Sequence, residues 1–290
     1  MQNIQIQSGD GFQLAATVFM PDRPSGQVIL LNSATGVKRR YYVDFAKYLA
    51  SEGFVVYTYD YRGIGGSRPV SLRKFEAHMH QWGELDFEAM LVYIKNAHPQ
   101  WPIAVLGHSA GGQILGMAPS IGDVAAVVTV AAQSGYWRHW GDKKWRFWFL
   151  WSVLIPTASK LLGYFPARKL GQGEDLPKGV AMEWAKWCRH PEYLFGYLQK
   201  HLPRYHQLNF PLLAFSSHDD DYAPKAAVEA LLKHYPKARI IHRHIYPGES
   251  YIQQIGHFGF FRKRFATTLW PMTSDWIKEQ LNSVKFKVES

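Results

Sequence analysis

The sequence predicts an α/β protein with a mostly parallel sheet that is covered by helices on both faces. The first observation is that short apolar runs, typical of strands buried on both sides, alternate with stretches of helical periodicity. Such alternation favours parallel pairing through crossover connections. The second observation is that 290 residues, 47% hydrophobic and 19% charged, suffice to bury the core of one large domain.

The first sixty residues supply a hairpin, two strands and a helix. Residues 3–7 and 12–20 alternate polar and apolar around a glycine-containing turn, which predicts a β-hairpin. Residues 27–32 and 54–59 are apolar and bounded by turn signals, so we expect two buried strands. Between them, 38–53 carries apolar residues at helical spacing and ends in glycine, which predicts a helix.

A glycine-rich turn, DYRGIGGS at 60–67, follows the second of these strands. It has neither the G-x-G-x-x-G pattern nor the Lys-Ser/Thr of a phosphate-binding loop. We therefore interpret Asp60 and Arg62 as groups that hold a loop by hydrogen bonds. A further helix is predicted over 81–97, where the apolar spacing is again helical.

The segment that carries the clearest chemical signal is PIAVLGHSAGGQILGMA at 102–118. An apolar strand pattern runs into Gly107-His108-Ser109-Ala110-Gly111, and a helix-permissive run follows. This G-x-S-x-G string between a strand and a helix is the pattern of a nucleophile elbow. Small residues two positions to either side of Ser109 relieve crowding in such a strained turn. Another buried strand is predicted at 124–132.

The composition changes between residues 134 and 205, which we interpret as a helical cap inserted into a core of residues 1–133 and 206–290. The insert holds 7 of the 11 tryptophans, and between Arg138 and Arg204 there are 12 Lys and Arg against 5 Asp and Glu. One interpretation is a lid lining an apolar substrate pocket; the other is a weak contact with a membrane surface. The apolar run 145–162 contains Pro156 and is too short to span a bilayer.

The β/α alternation resumes after the cap. Strands are predicted at 210–216 and 238–246, with a helix at 226–235 between them and a final helix over 267–282. The turn after the first strand, SHDDDYAP at 217–224, holds three consecutive acids, which repel one another unless cations or donors meet them. We expect one of them to meet a histidine.

A serine hydroxyl is a weak nucleophile and needs a neutral imidazole within about 3 Å to accept its proton. Among 13 histidines, His257 is favoured because it lies in a glycine-flanked loop after the last strand. His218, beside the acid turn, is the nearest competitor, and we expect the side chain of His108 to diverge from Ser109. Any of Asp219, Asp220 and Asp221 could orient the imidazole.

Other site classes find little support in the sequence. No metal-ligand spacing such as H-E-x-x-H is present, and serine chemistry needs neither a metal nor a cofactor. No nucleic-acid-binding motif accompanies the formal net charge of +10. The only cysteine is Cys188, and the N-terminus does not have the pattern of a signal peptide, so the default expectation is the cytoplasm.

Five motifs together resemble the α/β-hydrolase superfamily, in particular bacterial predicted α/β hydrolases related to the serine-aminopeptidase and monoglyceride-lipase-like branch. The motifs are LNSATGV, DYRGIGGS, GHSAGG, SSHDDDYAP and IGHFGFFR. The resemblance covers most of the chain outside the cap. One departure is Asn32-Ser33. Many relatives have His-Gly at this position, which is the end of the strand that leads into the oxyanion-hole loop.

The resemblance implies an eight-stranded sheet, a lid and a triad of Ser109, Asp220 and His257. The resemblance selects Asp220 among the three acids because this residue lies four positions before Pro224. It also implies an oxyanion hole formed by the N–H groups of Ala34 and Ala110.

These expectations lead to the hypothesis of a serine hydrolase that cleaves a small-molecule ester or thioester through an acyl-enzyme. The aromatic cap favours a substrate with an apolar acyl or aromatic group, contacted by Trp137, Trp148, Tyr222 and Phe258. Two alternatives remain: an acyltransferase on the same triad, and a non-catalytic binding or membrane-surface module.

Overall fold

The computed structural model describes residues 1–171, 173–248 and 254–288. Eight strands form one sheet in the spatial order β1-β2-β4-β3-β5-β6-β9-β10, and β7 pairs with β8 separately. The strands are β1 (Gln2–Gln7), β2 (Gln13–Phe19), β3 (Val28–Asn32), β4 (Val55–Tyr59), β5 (Ile103–His108), β6 (Ala126–Val130), β7 (Tyr164–Phe165), β8 (Leu176–Pro177), β9 (Pro211–Ser217) and β10 (Arg239–Ile245).

The prediction of a mostly parallel sheet is confirmed. Strand β2 pairs antiparallel with β1 and with β4, whereas every other neighbouring pair in the large sheet is parallel. All residues of β3, β4, β5 and β6 are buried, as continuous apolar runs require in a sheet covered on both faces. Strand β10 lies at the edge, and its residues alternate between exposed and partly buried. The carboxyl ends of β3, β5, β6 and β9 therefore meet at one side of the sheet.

Helices connect the parallel strands. They are α1 (Val43–Ser51), α2 (Met79–Gln81), α3 (Glu88–Ala97), α4 (Ala110–Gln113), α5 (Lys144–Phe149), α6 (Ile155–Leu162), α7 (Lys178–Cys188), α8 (Leu202–Gln207), α9 (Lys225–Leu232) and α10 (Leu269–Val288). Helix α1 packs against α10 and against β4.

Two predicted helices differ in detail. The helix expected over 81–97 contains a π-helical segment, Trp82–Phe87, ahead of α3. The helix after the elbow ends at Gln113 and continues as separate 3-10 turns. Tyr205 packs against this segment: its hydroxyl donates to the carbonyl of Gln113, and a Cβ added at Gly116 would lie 2.3 Å from Cδ2 of its ring.

The loop after β4 is held by hydrogen bonds to Asp60 and by ion pairs of Arg62. Asp60 accepts the backbone N–H groups of Arg39 and Gly66 at 2.7 and 2.8 Å. The guanidinium of Arg62 lies 2.7 Å from carboxylate oxygens of both Asp86 and Asp10. Burial raises the pKa of Asp86 to about 6, although Arg62 opposes the shift. These contacts are structural and position the loop beside the carboxyl ends of the strands.

Residues 134–205 leave the large sheet at β6 and return to it at β9 through short helices and the β7–β8 pair. Helix α5, a π-helical segment (Leu150–Leu154) and α6 follow one another without a break. In the part of the chain that the structure describes, no helix has the length and apolarity needed to cross a bilayer.

Candidate active site

Ser109 lies in the sharp turn between β5 and α4. Its φ of 49° and ψ of −116° are strained for a residue with a side chain. The flanking glycines make the turn possible, because a Cβ at Gly107 would lie 2.6 Å from the carbonyl oxygen of Gly111, and one at Gly111 would lie 2.4 Å from that of Asn32. This geometry explains the glycines of the G-x-S-x-G string.

The backbone around Ser109 is fastened to β6 and leaves an N–H group free of helix partners at the start of α4. Ser109 N–H donates to the carbonyl of Val130 at 2.8 Å, which ties the turn to the end of β6. Ala110 is the first residue of α4, so its N–H has no acceptor within the helix. Such an N–H, at the positive end of a helix and next to the serine, can bind a developing oxyanion.

The structure brings His257 and Asp220 together. Nδ1 of His257 lies 2.9 Å from Oδ2 and 3.1 Å from Oδ1 of Asp220. Oδ1 also accepts the backbone N–H groups of Tyr222 and Ala223 at 2.8 and 3.0 Å. Only 4% of Asp220 and 9% of His257 is exposed. A buried carboxylate held in this way can fix the tautomer of an imidazole and stabilise its protonated form.

The two neighbouring acids have other partners. Oδ2 of Asp219 accepts the N–H groups of Ile255 and Gly256 at 2.8 and 3.0 Å, so it holds the backbone just before His257. Asp221 forms an ion pair with Lys143 at 2.5 Å, with both side chains more than half exposed. The three consecutive acids thus bind different segments, and only Asp220 contacts the imidazole.

His218 does not compete for this position. Its ring stacks on Tyr246 with centroids 5.0 Å apart. Within the described residues, no hydrogen bond joins Ser109 Oγ to the ring of His257. Bonds between nucleophile and base are often long before substrate binds.

A hydrogen-bonded chain that the sequence analysis did not anticipate connects the turn after β3, the elbow and the His257 loop. Ala34 N–H donates to the hydroxyl of Tyr42 at 2.9 Å. The same hydroxyl lies 2.9 Å from Nδ1 of His108, and Nε2 of His108 lies 2.9 Å from the carbonyl oxygen of His257. All four residues are buried.

The donor at one end of this chain, Ala34 N–H, and the acceptor at the other, the His257 carbonyl, determine its direction. A carbonyl can only accept, so His108 Nε2 carries the proton and its Nδ1 accepts from Tyr42. Burial lowers the pKa of His108 well below its ordinary value, so the ring is neutral. As expected, its side chain diverges from Ser109. The predicted oxyanion donor Ala34 is placed beside the elbow, but its N–H is donated to Tyr42.

Asn32, the last residue of β3, is fully buried and hydrogen-bonded on both sides. Its Oδ1 accepts from the hydroxyl of Tyr59 at 2.9 Å, and its Nδ2 donates to the carbonyl of Gly111 at 3.2 Å. Asn32 therefore fastens the end of β3 to the backbone of the elbow.

Aromatic rings lie next to His257. The ring centroid of Tyr222 is 5.4 Å from that of His257 and 6.4 Å from that of Phe258. Residues 134–205 contribute Phe147, whose centroid lies 6.3 Å from Tyr222, and Trp140, which stacks on Phe147 at 4.4 Å. Phe147 and Trp140 were not singled out from the sequence, since nothing in the tryptophan-rich run indicates which rings face inward.

The two tryptophans of residues 134–205 that were singled out from the sequence lie elsewhere. The centroid of Trp137 is 5.2 Å from that of Trp145, and Trp148 is 6.3 Å from the same ring. Trp137 is buried, whereas Trp148 is exposed. Of the four predicted substrate contacts, the structure thus places Tyr222 and Phe258 beside His257, and Trp137 and Trp148 in a separate group.

Comparison with known proteins adds relatives of two kinds. The sequence profile of the serine aminopeptidase S33 family matches residues 22–250. A monoacylglycerol lipase of Mycolicibacterium smegmatis is 33% identical over 108 residues, a stretch that spans about a third of either protein (36% of this chain and 36% of the lipase).

Several solved structures share the fold across nearly the whole chain. The esterase Est1E of Butyrivibrio proteoclasticus with bound ferulic acid has a TM-score of 0.63 at 15% identity, covering 96% of this chain and 99% of its own. The Pyrococcus furiosus esterase Pf2001 has a TM-score of 0.60 at 14% identity, covering 97% and 92%. The fold is that of the α/β hydrolases, and, with the family profile matching most of its length, the chain belongs to the serine aminopeptidase S33 family.

Proposed function

We propose that this protein is a serine hydrolase that cleaves a carboxylic ester through an acyl-enzyme, with Ser109, His257 and Asp220 as its catalytic triad. The observation that carries the proposal is the buried Asp220–His257 pair in the loops beside a strained elbow serine. The family supports a hydrolase, and the esterases of the same fold support ester chemistry without setting the substrate.

In the proposed reaction, Ser109 Oγ attacks the ester carbonyl while His257 Nε2 accepts the hydroxyl proton. The tetrahedral intermediate expels the alcohol, which takes that proton from His257, and the acyl group stays on Ser109. Water then attacks the acyl carbonyl while His257 Nε2 accepts one of its protons. The second tetrahedral intermediate breaks its bond to Ser109 Oγ, which takes that proton from His257, and the carboxylic acid is released. Asp220 stabilises the imidazolium in both halves.

The oxyanion would be bound by the N–H groups of Ala110 and Ala34. Ala34 N–H donates to the Tyr42 hydroxyl in the structure. To bind the oxyanion, this N–H must either donate to both oxygens or give up its bond to Tyr42. Removing one donor of such a pair costs about 3–4 kcal/mol of transition-state stabilisation. A thioester or an acceptor alcohol could enter the same chemistry, and product analysis with added alcohols or thiols separates hydrolysis from acyl transfer.

We further propose that residues 134–205 act as a cap and that the substrate carries an apolar acyl or aromatic group. Phe147, Tyr222 and Phe258 support this, because the rings of Tyr222 and Phe258 lie against His257 and that of Phe147 lies against Tyr222. Because the Mycolicibacterium relative is a monoacylglycerol lipase, monoacylglycerols belong in the test panel. We also propose a cytoplasmic location, the default for a chain whose single cysteine, Cys188, allows no intrachain disulfide.

The test is a panel of esters and thioesters with graded acyl length and aromatic acids, assayed with wild type and Ser109→Ala. We expect turnover that rises with acyl size and is lost in the variant. Turnover that is independent of acyl length would contradict the proposed substrate class, and unchanged turnover in Ser109→Ala would contradict the triad.

An exposed apolar face on the cap supports a second, weaker role in contacting a membrane surface. Between Asp142 and Glu174 the sequence has six Lys and Arg and no acid. The exposed apolar side chains of this segment include Trp145, Trp148, Phe149, Val153 and Leu161. Apolar rings flanked by cations suit the headgroup region of anionic lipids. Co-sedimentation with anionic vesicles that persists in Ser109→Ala and weakens with salt would support this contact; no co-sedimentation at low salt would refute it.

A further inference from the structure

A second cluster of chemically active side chains lies where the segment before α3 meets α7, outside the Ser109 site. A ring nitrogen of His78, a ring nitrogen of His80 and a carboxylate oxygen of Glu183 all lie within 4.8 Å of one another. In sequence, Glu183 is 103 residues from His80, so only the fold brings the three together.

The two histidines present their rings side by side. They flank Met79 at the start of α2, and their rings stack with centroids 5.5 Å apart and planes inclined by 25°. His78 is exposed, and about a quarter of the His80 side chain is reached by solvent. Both rings are thus close to one another and accessible to a solute.

Glu183 is held against these rings by the packing of α7. Its two carboxylate oxygens lie 2.8 and 3.0 Å from Nδ1 of His80, and one accepts the backbone N–H of His80 at 2.9 Å. One turn earlier, a Cβ at Gly179 would lie 2.3 Å from the carbonyl oxygen of Ala77 and 3.1 Å from Cε1 of His78. The glycine allows α7 to touch the 77–80 backbone, so the carboxylate position is built by the fold.

We propose that His78, His80 and Glu183 bind a divalent transition-metal ion of the Zn²⁺ type, with water completing the coordination. Two imidazoles and one carboxylate are a ligand set that suits Zn²⁺, Co²⁺ or Ni²⁺ and does not suit Ca²⁺ or Mg²⁺, which prefer oxygen ligands. Binding through His80 Nδ1 replaces its hydrogen bond to Glu183, and the ring proton then resides on Nε2, so the bound imidazole is neutral.

The ion would join the cap to the core, because its ligands come from both. His78 and His80 belong to the chain between β4 and β5, whereas Glu183 belongs to α7. The site takes no part in the serine chemistry, and its existence does not depend on the proposed function. Its effect is to fasten α7 in the position that the structure shows.

The test is calorimetric titration of Zn²⁺ into tag-free, EDTA-treated full-length protein. We expect one ion per chain for wild type and at least a tenfold weaker affinity for His78→Ala and for Glu183→Gln. The matched control is His242→Ala, which removes one ring of the His242–His244 pair on β10, where the centroids lie 6.2 Å apart. This control should bind as wild type does. Circular dichroism establishes that each variant is folded.

A second measurement follows the predicted fastening of the cap. Zn²⁺ should raise the thermal unfolding midpoint of wild type and of His242→Ala, and should leave that of His78→Ala unchanged. The proposal is overturned if folded wild type takes up no Zn²⁺, if His78→Ala and Glu183→Gln bind it as tightly as wild type, or if only His242→Ala loses binding.

Discussion

The sheet side of the candidate site, formed by the loops that hold Ser109, Asp220 and His257, is positioned by hydrogen bonds between buried groups. The cap side, formed by residues 134–205, contacts the 217–224 turn through ring packing, one exposed ion pair and a half-buried hydrogen bond from Trp140 Nε1–H to the carbonyl of Asp221 at 2.9 Å. On the sheet side, Asp220 accepts two backbone N–H groups and contacts His257, and His108 bonds to Tyr42 and to the His257 carbonyl. On the cap side, Phe147 meets Tyr222 through its ring.

This difference corresponds to two different demands. Proton transfer requires its groups to be placed within a fraction of an ångström, and buried hydrogen bonds provide such placement. Binding an apolar group requires only a surface of suitable shape, which ring packing provides with less precision. We therefore expect substitutions on the sheet side to change turnover, and those on the cap side to change selectivity.

The largest effect is expected from Asp220→Asn. The amide can no longer stabilise the protonated His257 and favours the wrong tautomer, so kcat should fall by about 10⁴-fold. The matched control is Asp221→Asn, which loses only the exposed pair with Lys143 and should stay within about threefold of wild type. Steady-state kinetics with a chromogenic ester measures both, and equal losses in the two variants would remove Asp220 from the triad.

The next effect is expected from Tyr42→Phe. This change leaves Nδ1 of the buried His108 without a donor and Ala34 N–H without its acceptor, and each unpaired buried group costs about 1–3 kcal/mol of unfolding free energy. Loosening the turn after β3 and the His257 loop should lower kcat by roughly tenfold or more. Urea denaturation and kinetics provide the two readouts.

Tyr41→Phe is the control for this experiment, because the Tyr41 hydroxyl donates to the carbonyl of Phe258 at 2.6 Å in an exposed position. Its loss should cost no more than about 1 kcal/mol. If Tyr41→Phe reduces kcat as much as Tyr42→Phe does, the buried chain through His108 has no special role in positioning.

A smaller change, confined to selectivity, is expected from Phe147→Ala on the cap side. Losing this ring against Tyr222 should raise KM for long or aromatic acyl esters by about tenfold, or about 1.4 kcal/mol, and leave kcat within about threefold. Acetyl esters should be nearly unaffected. Trp148→Ala, which removes an exposed ring, should leave both constants unchanged; if it raises KM instead, Trp148 contacts substrate as the sequence analysis expected.

The smallest effect is expected from Lys143→Ala. The pair with Asp221 is exposed on both sides, so its loss should change the free energy of unfolding by no more than about 0.5 kcal/mol. Thermal unfolding measures this change. A loss of several kcal/mol would mean that the cap is held to the acid turn far more tightly than its exposure indicates.

The same contrast explains how much could be predicted from the sequence. The central strands were predicted to within about two residues, because strands buried on both faces are short apolar runs between turn signals. The elbow could be predicted because its strained turn requires a specific local pattern. That pattern is a strand followed by a serine with a glycine two residues to either side. Asp220 and His257 rested on loop position and on the family resemblance.

Features that depend on contacts between distant residues were missed. The hydroxyl of Tyr42 meets His108 across 66 positions, and His108 meets the carbonyl of His257 across 149. No local pattern signals such pairs, and neither does the donation of Ala34 N–H to Tyr42. The π-helical Trp82–Phe87 has the same apolar spacing as an α-helix over a single turn, so it was included in a regular helix.

The central claim, that Ser109 is a nucleophile activated by His257, is tested most directly by a fluorophosphonate probe. Intact mass and peptide mapping should show one adduct on Ser109 in wild type, none in Ser109→Ala and greatly slowed labelling in His257→Ala. An adduct on a different serine, or none on the folded wild-type protein, would contradict the account.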